Sequence, residues 1–562
     1  MTEPGHAVPR LYVGGTVLLP SPLGPAAPVD EGQEVAVATA GGRIVAVGSA
    51  EDCRSALPPV HEVVRLDGRA LAPGFVDAHL HPLPMCVFED QLDLDACPSL
   101  EWLFDALADR VRRDPDVDVL FGFQFDDERM AERRLPTATE LDRASGGRQV
   151  VIVRRDGHHA IGSSAALQAA GIHEASADPA GGRIDRDAHG RLTGLCAESA
   201  AQLLTGLLPG PTLEGLTAAL DRCVARLASF GVTGITAFVQ SATEGPAGAA
   251  GELEAFAWSV LVGRVPFDVQ TILITPDVTH ALEWRGTALH DPARRRRLDG
   301  LKLFLDGTLG GHSACMHQPF ADRPGSAGML TLEPDEAFRR MVDAQDAGLI
   351  AAVHAIGDRA NHTAMDLFDR LAREHGSPAP GVTARHRVEH ASVLDDATVE
   401  GFARLGVATV VQPISLQSER QWLDARVGPG RRARTYPYRS LLDAGVTVAG
   451  SSDAPIESAH VLAAVEAAVT RHDFEPAQAV SVAEALAMYT SGAAAVRGLA
   501  GEVGSIAVGQ RADLVVLGAD PHTVAPTTIG QIEVLATIVG GTEIFRHEHL
   551  TTERRSMIEG TA

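Results

Sequence analysis

The sequence predicts an α/β fold, an eight-stranded parallel (β/α) barrel joined to a small β-domain, on three observations. Through the middle of the chain, short β-branched runs alternate with longer alanine- and leucine-rich stretches of helical spacing, the texture of repeated βα units. Both ends instead carry short apolar runs divided by glycine turns, as in LYVGGTVLL, GGRIVAVGS, GSIAVGQRADLVVLG and IEVLATIVGGTEIFR. The length, 562 residues, exceeds what one core of ordinary size serves.

In chain order, residues 11–19, 35–39 and 43–48 read as short strands, and that texture returns at 504–518 and 532–546. Because the two ends of a domain often lie close together, residues 1–70 plus 498–562 are expected to share one composite β-sandwich. The barrel then occupies 71–497 as an insertion. Its strand candidates are 71–81, 231–239, 267–275, 301–307, 349–357, 386–392, 407–413 and 446–455. The gap from 83 to about 225 is too long for one crossover, so an inserted subdomain is expected there, overhanging the barrel mouth. Residues 336–348 and 481–492 read as outer helices, the first stopped by Gly348.

Composition bounds the function. Hydrophobic residues at 45% and charged residues at 22% are ordinary for a folded chain. A net charge of −25 repels phosphate backbones and anionic lipid, so neither nucleic acid nor membrane is an expected partner. The one dense basic run, Arg294 to Arg297, reads as a solvated helix end before a strand. The opening MTEPGHAVPR lacks the basic patch and apolar stretch of an export signal, and no window has the length of a membrane span. A cytoplasmic protein is expected, with a homodimer admissible. The six cysteines form no CxxC pair and read as buried thiols.

The chemistry-bearing residues fall at predicted strand ends. His79 and His81 stand two apart, and side chains at i and i+2 leave a strand on one face, so both imidazoles can grip one ion. With 22 histidines, about one such pair is expected by accident. The chain holds a second, His547 and His549, in a charged tail that reads as surface. Lys302, His354, His390 and Asp453 also sit at the C-terminal ends of predicted strands, which in a barrel converge on one small area. Neutral imidazoles bind divalent metals, zinc being the expected ion, with one or two present. Asp453 can bind metal and also take the proton of the attacking water. An ammonium does not bind a cation, but a carbamate on Lys302 would be anionic and could bridge two ions. Outside this set, His158 could reach over the barrel mouth from the insertion, and Trp422 could wall a pocket.

Several stretches resemble the amidohydrolase superfamily, and within it the amidohydrolase family 3 branch that contains N-substituted formamide deformylase. They are PGFVDAHLHP (73–82), RDGHHAIGSSAAL (155–167), LKLFLDGTLGGHSA (301–314), HAIGDRAN (354–361), HRVEHAS (386–392), SLLDAGVTVAGSSDAP (440–455) and GQRADLVVL (509–517). The resemblance implies a distorted TIM (β/α)8 barrel with a composite β-sandwich. It implies metal ligands at His79, His81, His354 and His390 with Asp453 close by, and Lys302 at the position carboxylated in related binuclear enzymes. It also implies cleavage of a non-peptide carbon–nitrogen bond, an amide or formamide, in a small organic molecule by metal-activated water. Two departures stand out: His312 where an arginine-like residue is expected, and Ser163 where asparagine is frequent. Both positions are expected to face substrate, His312 as a substrate contact alongside His158 and Trp422, so deformylase activity itself is not carried over. The rival readings are deamination of a ring or amidine carbon, and a binding or regulatory protein on the same fold.

Overall fold

Eight strands pair in chain order to form the centre of the molecule. The computed structural model describes residues 8–18, 35–89, 91–208, 212–241, 252–376, 382–550 and 552–556. The central strands are β1 (Phe75–Leu80), β2 (Val232–Gln240), β3 (Asp268–Ile274), β4 (Arg296–Phe304), β5 (Ile350–Ala355), β6 (Arg387–His390), β7 (Ala408–Val411) and β8 (Val448–Gly450). Every neighbouring pair is parallel. A parallel bridge from Leu80 to Ala454 brings the last strand back to the first. The protein is therefore a TIM-type α/β barrel, and its strands are largely buried on both faces because helices cover them outside.

The covering helices obey local rules. Pro334–Asp346 opens with proline in its first turn and ends just before Gly348, whose φ of +70° turns the chain into β5. Asp358–His375 and Asp396–Leu405 follow β5 and β6, and the latter is capped by the Asp395 side chain. The stretch 481–492 forms a helix over Val482–Ala487, opened by the Ser481–Glu484 capping box, then loosens into a π-turn over Met488–Gly492.

Two further five-stranded sheets draw on both ends of the chain. One runs 552–556, 60–65, 10–13, 36–40, 43–48, and the other 16–17, 70–73, 514–517, 534–539, 542–546. Tyr12, Val37, Ile44 and Val64 of the first share an apolar cluster with Leu71, Leu514, Val516 and Ile538 of the second. On this topology we propose a composite sandwich and a barrel as separate units, meeting at Gly74. The stretch 71–81 is thus two strands, not one: Ala70–Pro73 pairs with 514–517 in the sandwich, and Phe75–Leu80 enters the barrel. Gly74 makes the junction because a Cβ there would lie 2.3 Å from the Thr233 side chain.

Between β1 and β2 lies a six-stranded sheet in the order 182–186, 192–198, 159–162, 149–154, 119–125, 92–93. Its alternation is regular: Val151 and Val153 pack into one apolar cluster, and Val150 and Ile152 into another on the opposite face. The helix Leu213–Ser229, most of it within the range assigned to the insertion, packs instead against β2, the 534–546 hairpin and the helix after β1. Arg296 and Arg297 also differ from expectation. They begin β4 and are not a helix end, and Arg297 lies 3.6 Å from Asp268 on β3. All six cysteines are buried free thiols. Among the described residues, no helix is long and apolar enough to cross a membrane. Replacing Gly74 with alanine should force Thr233 to move and cost about 1–3 kcal/mol, seen as a lower denaturant midpoint. An unchanged midpoint would mean that the junction is not sterically set.

Candidate metal centre

The C-terminal ends of the barrel strands bring His79, His81, Lys302, His354, His390 and Asp453 to the wall of a single cavity. Register explains the convergence. Ile274 on β3 pairs with Lys302 on β4, Phe304 with His354 on β5, and Ala355 with His390 on β6, so adjacent strand ends lie side by side. The donor atoms of His79, His390 and Asp453 fall within 4.8 Å of one another. His81 Nε2 lies 3.1 Å from Asp453 Oδ1, and His79 Nε2 lies 3.2 Å from the same oxygen. The His354 and His390 rings meet edge to face at 4.5 Å between centroids.

The protonation states suit a divalent cation. Burial, with Lys302 and neighbouring histidines, holds His79 well below the ordinary histidine value. Burial and His390 do the same to His354, and burial pushes His390 down to about 3. These imidazoles are neutral at neutral pH, the form that ligates metal. Burial alone would raise the Asp453 carboxyl, but the hydrogen bond with His81 and the nearby His390 and Lys302 bring it below the ordinary aspartate value. His79 Nε2 is buried without a hydrogen-bond partner among the described residues, an atom waiting for a Lewis acid. The donor set therefore fits a divalent ion.

Lys302 is fully buried, its Nζ 4.6 Å above the Phe238 ring and 5.1 Å from that of Phe304. Among the described residues it makes no hydrogen bond or ion pair, and burial pushes its amine down to about 8. That value leaves a usable fraction of free amine near neutral pH.

Supporting residues aim the candidate ligands, and sequence reasoning singled out none of them. His79 Nδ1 donates to Glu389 Oε2 at 2.7 Å, while Arg387 Nε donates to Glu389 Oε1 at 2.6 Å and its Nη2 to the Ala78 carbonyl at 3.2 Å. This chain fixes the His79 tautomer that leaves Nε2 free for metal. Gln412 does the same for His390 through Nδ1 at 2.9 Å. Asp306 accepts from the backbone N–H groups of Cys315, Ile356 and Gly357, pinning the loop after β4 to the end of β5 beside His354. A legible signal existed in Arg387 and Glu389, opposite charges at i and i+2 just ahead of His390, and in Gln412, which closes VATVVQ.

The remaining candidates divide. His158 lines the cavity; its Nδ1 bonds Glu198 Oε2 at 2.7 Å and its ring centroid is 5.3 Å from that of His354. Burial would lower its pKa, but Glu198 and Asp156 raise it above the ordinary value. Trp422 walls a second lobe of the cavity, which shares His158, His354, His390 and Asp453 with the first. His312 pairs with Asp322 at 3.2 Å and is not among the residues lining either lobe. Ser163 is buried inside the insertion, where it caps the helix Ser164–Ala169 and bonds Val150 and Arg148, so it does not face the cavity. The second histidine pair, His547 and His549, sits near Glu533 at the surface.

Residues 62–545 match the Amidohydrolase family, and the chain belongs to that family. It is 30% identical over 502 residues to YtcJ of Bacillus subtilis, covering 87% of this chain and 91% of that one. It is 29% identical over 532 residues to N-substituted formamide deformylase of Arthrobacter pascens, covering 91% and 95%. The crystal structure of an uncharacterized metal-dependent hydrolase from Pyrococcus horikoshii superposes with a TM-score of 0.69 at 26% identity, covering 92% of this chain and 99% of that one. By class the protein is a metal-dependent hydrolase.

Glu389→Gln keeps the shape but removes the charge behind His79, and should weaken divalent-metal affinity about tenfold or more in competition with a chromogenic chelator. Wild-type affinity in that variant would show that Glu389 does not tune the ligand.

Proposed function

We propose that the protein hydrolyses a non-peptide carbon–nitrogen bond, of amide or formamide type, in a small organic molecule. The observation carrying this reading is the set of neutral imidazoles gathered around one carboxylate where two cavity lobes meet. Family membership and the 29% identical formamide deformylase relative support it. A divalent ion, zinc being our assignment, would be held by His79, His81, His354, His390 and Asp453, with a carbamate on Lys302 as a further anionic donor. Such an ion supplies Lewis acidity, polarising the carbonyl and lowering the pKa of water.

The chain's own residues do the rest. Asp453, partly open to the cavity, accepts a proton from the attacking water as the new carbon–oxygen bond forms. It then delivers that proton to the nitrogen as the carbon–nitrogen bond breaks, giving a carboxylic acid and an amine. His158, held by Glu198, has Nε2 free among the described residues and can donate to the carbonyl oxygen as negative charge develops there. Phe238, stacked on His79 at 3.8 Å, keeps water from the inner side of the ligands. A cytoplasmic location accords with six free thiols.

Metal analysis combined with a panel of amides, formamides and amidines tests the reading. Cleavage of an amide to acid and amine supports it; ammonia released from a ring or amidine carbon would favour deamination, and no turnover of any member by metal-replete protein would favour a binding role. Asp453→Asn should retain bound metal while kcat falls by about 10²–10⁴-fold. Turnover at the wild-type rate would remove Asp453 from proton transfer.

A further inference from the structure

The two lobes that meet at the metal centre differ in chemistry. One carries the apolar walls Phe88, Phe123, Ile274 and Phe304 beside Glu254 and Lys302, and shares Arg154, Arg155, Asp156 and Asp453 with the other. The other runs toward Trp422 and Tyr436 and adds Asp126, Glu419 and Glu457 to the shared Asp156 and Asp453, against Arg154, Arg155 and His158, the last already paired with Glu198. Both guanidinium groups are already shared. Arg154 binds Asp127 at 2.6 Å and Asp156 at 2.8 Å. Arg155 binds Asp95 and lies 3.5 Å from both Asp126 and Glu457.

Arg426, whose Cζ lies 4.8 Å from the Trp422 ring, is the next nearest cation, and its donors are spent as well. They go to Asp322 and Glu128, each at 2.7 Å, and to the Leu309 and Gly310 carbonyls. Among the described residues, Glu419 therefore has no cationic partner within 4 Å. Its side chain accepts one hydrogen bond, from the Tyr436 hydroxyl at 2.6 Å. A half-buried carboxylate that lines a cavity beside Tyr436, with the side-chain donors of Arg154, Arg155 and Arg426 committed elsewhere, is an incomplete ion pair.

We infer that this lobe takes a cationic substituent of the substrate, an ammonium or guanidinium group a short chain away from the scissile bond, with Glu419 as counter-ion and Trp422 and Tyr436 as walls. The apolar lobe takes the other half of the molecule. The inference rests on the amide-hydrolase reading for the bond cleaved, but not for the charge recognised. Burial, reinforced by Glu457 and Asp126, pushes the Glu419 carboxyl up to about 8 despite the Tyr436 hydroxyl and the more distant Arg426, which is how a carboxylate short of a close cation behaves. An aromatic wall adds to the attraction because the ring face is electron-rich.

The test uses matched pairs offered to the metal-replete protein: N-acetyl-1,4-diaminobutane against N-pentylacetamide, and N-butyl-5-aminopentanamide against N-butylhexanamide. Each compound is measured for kcat/KM and for calorimetric binding. The cationic member of at least one pair should be favoured about tenfold or more in both readouts, and Glu419→Gln should abolish that preference. Should the Gln variant lose its metal or its unfolding midpoint, Trp422→Leu replaces it, with the preference expected to shrink several-fold. Equal treatment of both members, absence of binding by either, or a preference that survives the substitution overturns the inference. Cation-selective binding without hydrolysis of any amide would leave it standing and sink the amide reading instead.

Discussion

The closure of the barrel and the assembly of the candidate metal centre are one physical contact. Beyond β8, the Asp453 N–H donates to the His79 carbonyl at 2.8 Å, and the His81 N–H donates to the Ala454 carbonyl at 2.7 Å. Asp77, buried on β1, accepts from the backbone and hydroxyl of Ser452 and also from the His79 N–H. These bonds join the first strand to the last. They also set two imidazoles against one carboxylate, so ligand geometry is inherited from the rigidity of a closed sheet and does not depend on a flexible loop.

That rigidity has to absorb strain. His390 and Asp453 adopt positive φ, +74° and +59°, and so does Ala391 at +45°. Non-glycine residues in this region typically cost about 1–3 kcal/mol each and persist where surrounding structure enforces them. For His390 the consequence is visible: the turn out of the extended conformation lets Glu389 and His390, adjacent in sequence, both reach the centre, one behind His79 and the other beside His354. Gln124, which lines the cavity from the insertion, is also held at a φ of +60°.

Much of this was readable in the sequence because the governing signals are local. Apolar runs bounded by turn residues marked the barrel strands, seven of the eight near where their texture places them, and the ends of β1, β4, β5, β6 and β8 carry the candidate ligands. The exception, 71–81, was misread because apolar periodicity says nothing about a strand changing sheets at a glycine. Arg387 and Glu389 went unassigned because a charge inside a strand has no meaning until its partner, 310 residues away for Glu389 and His79, is brought to it. Ser163 and His312 failed in the opposite sense. Motif position suggested substrate, while packing gave Ser163 a helix end to cap and His312 an aspartate to pair with.

The sequence by itself determined the class of fold, the order of the strands and the identity of the side chains at their ends, since hydrophobic period and turn chemistry are written residue by residue. Only the tertiary structure decided how charge is shared across the cavity. The division into an apolar lobe and an acidic one, and the surplus carboxylate at Glu419, arise from side chains contributed by the insertion and by the loops after β7 and β8. Electrostatic balance depends on distances between such groups through low-dielectric surroundings, and no one-dimensional pattern encodes those distances.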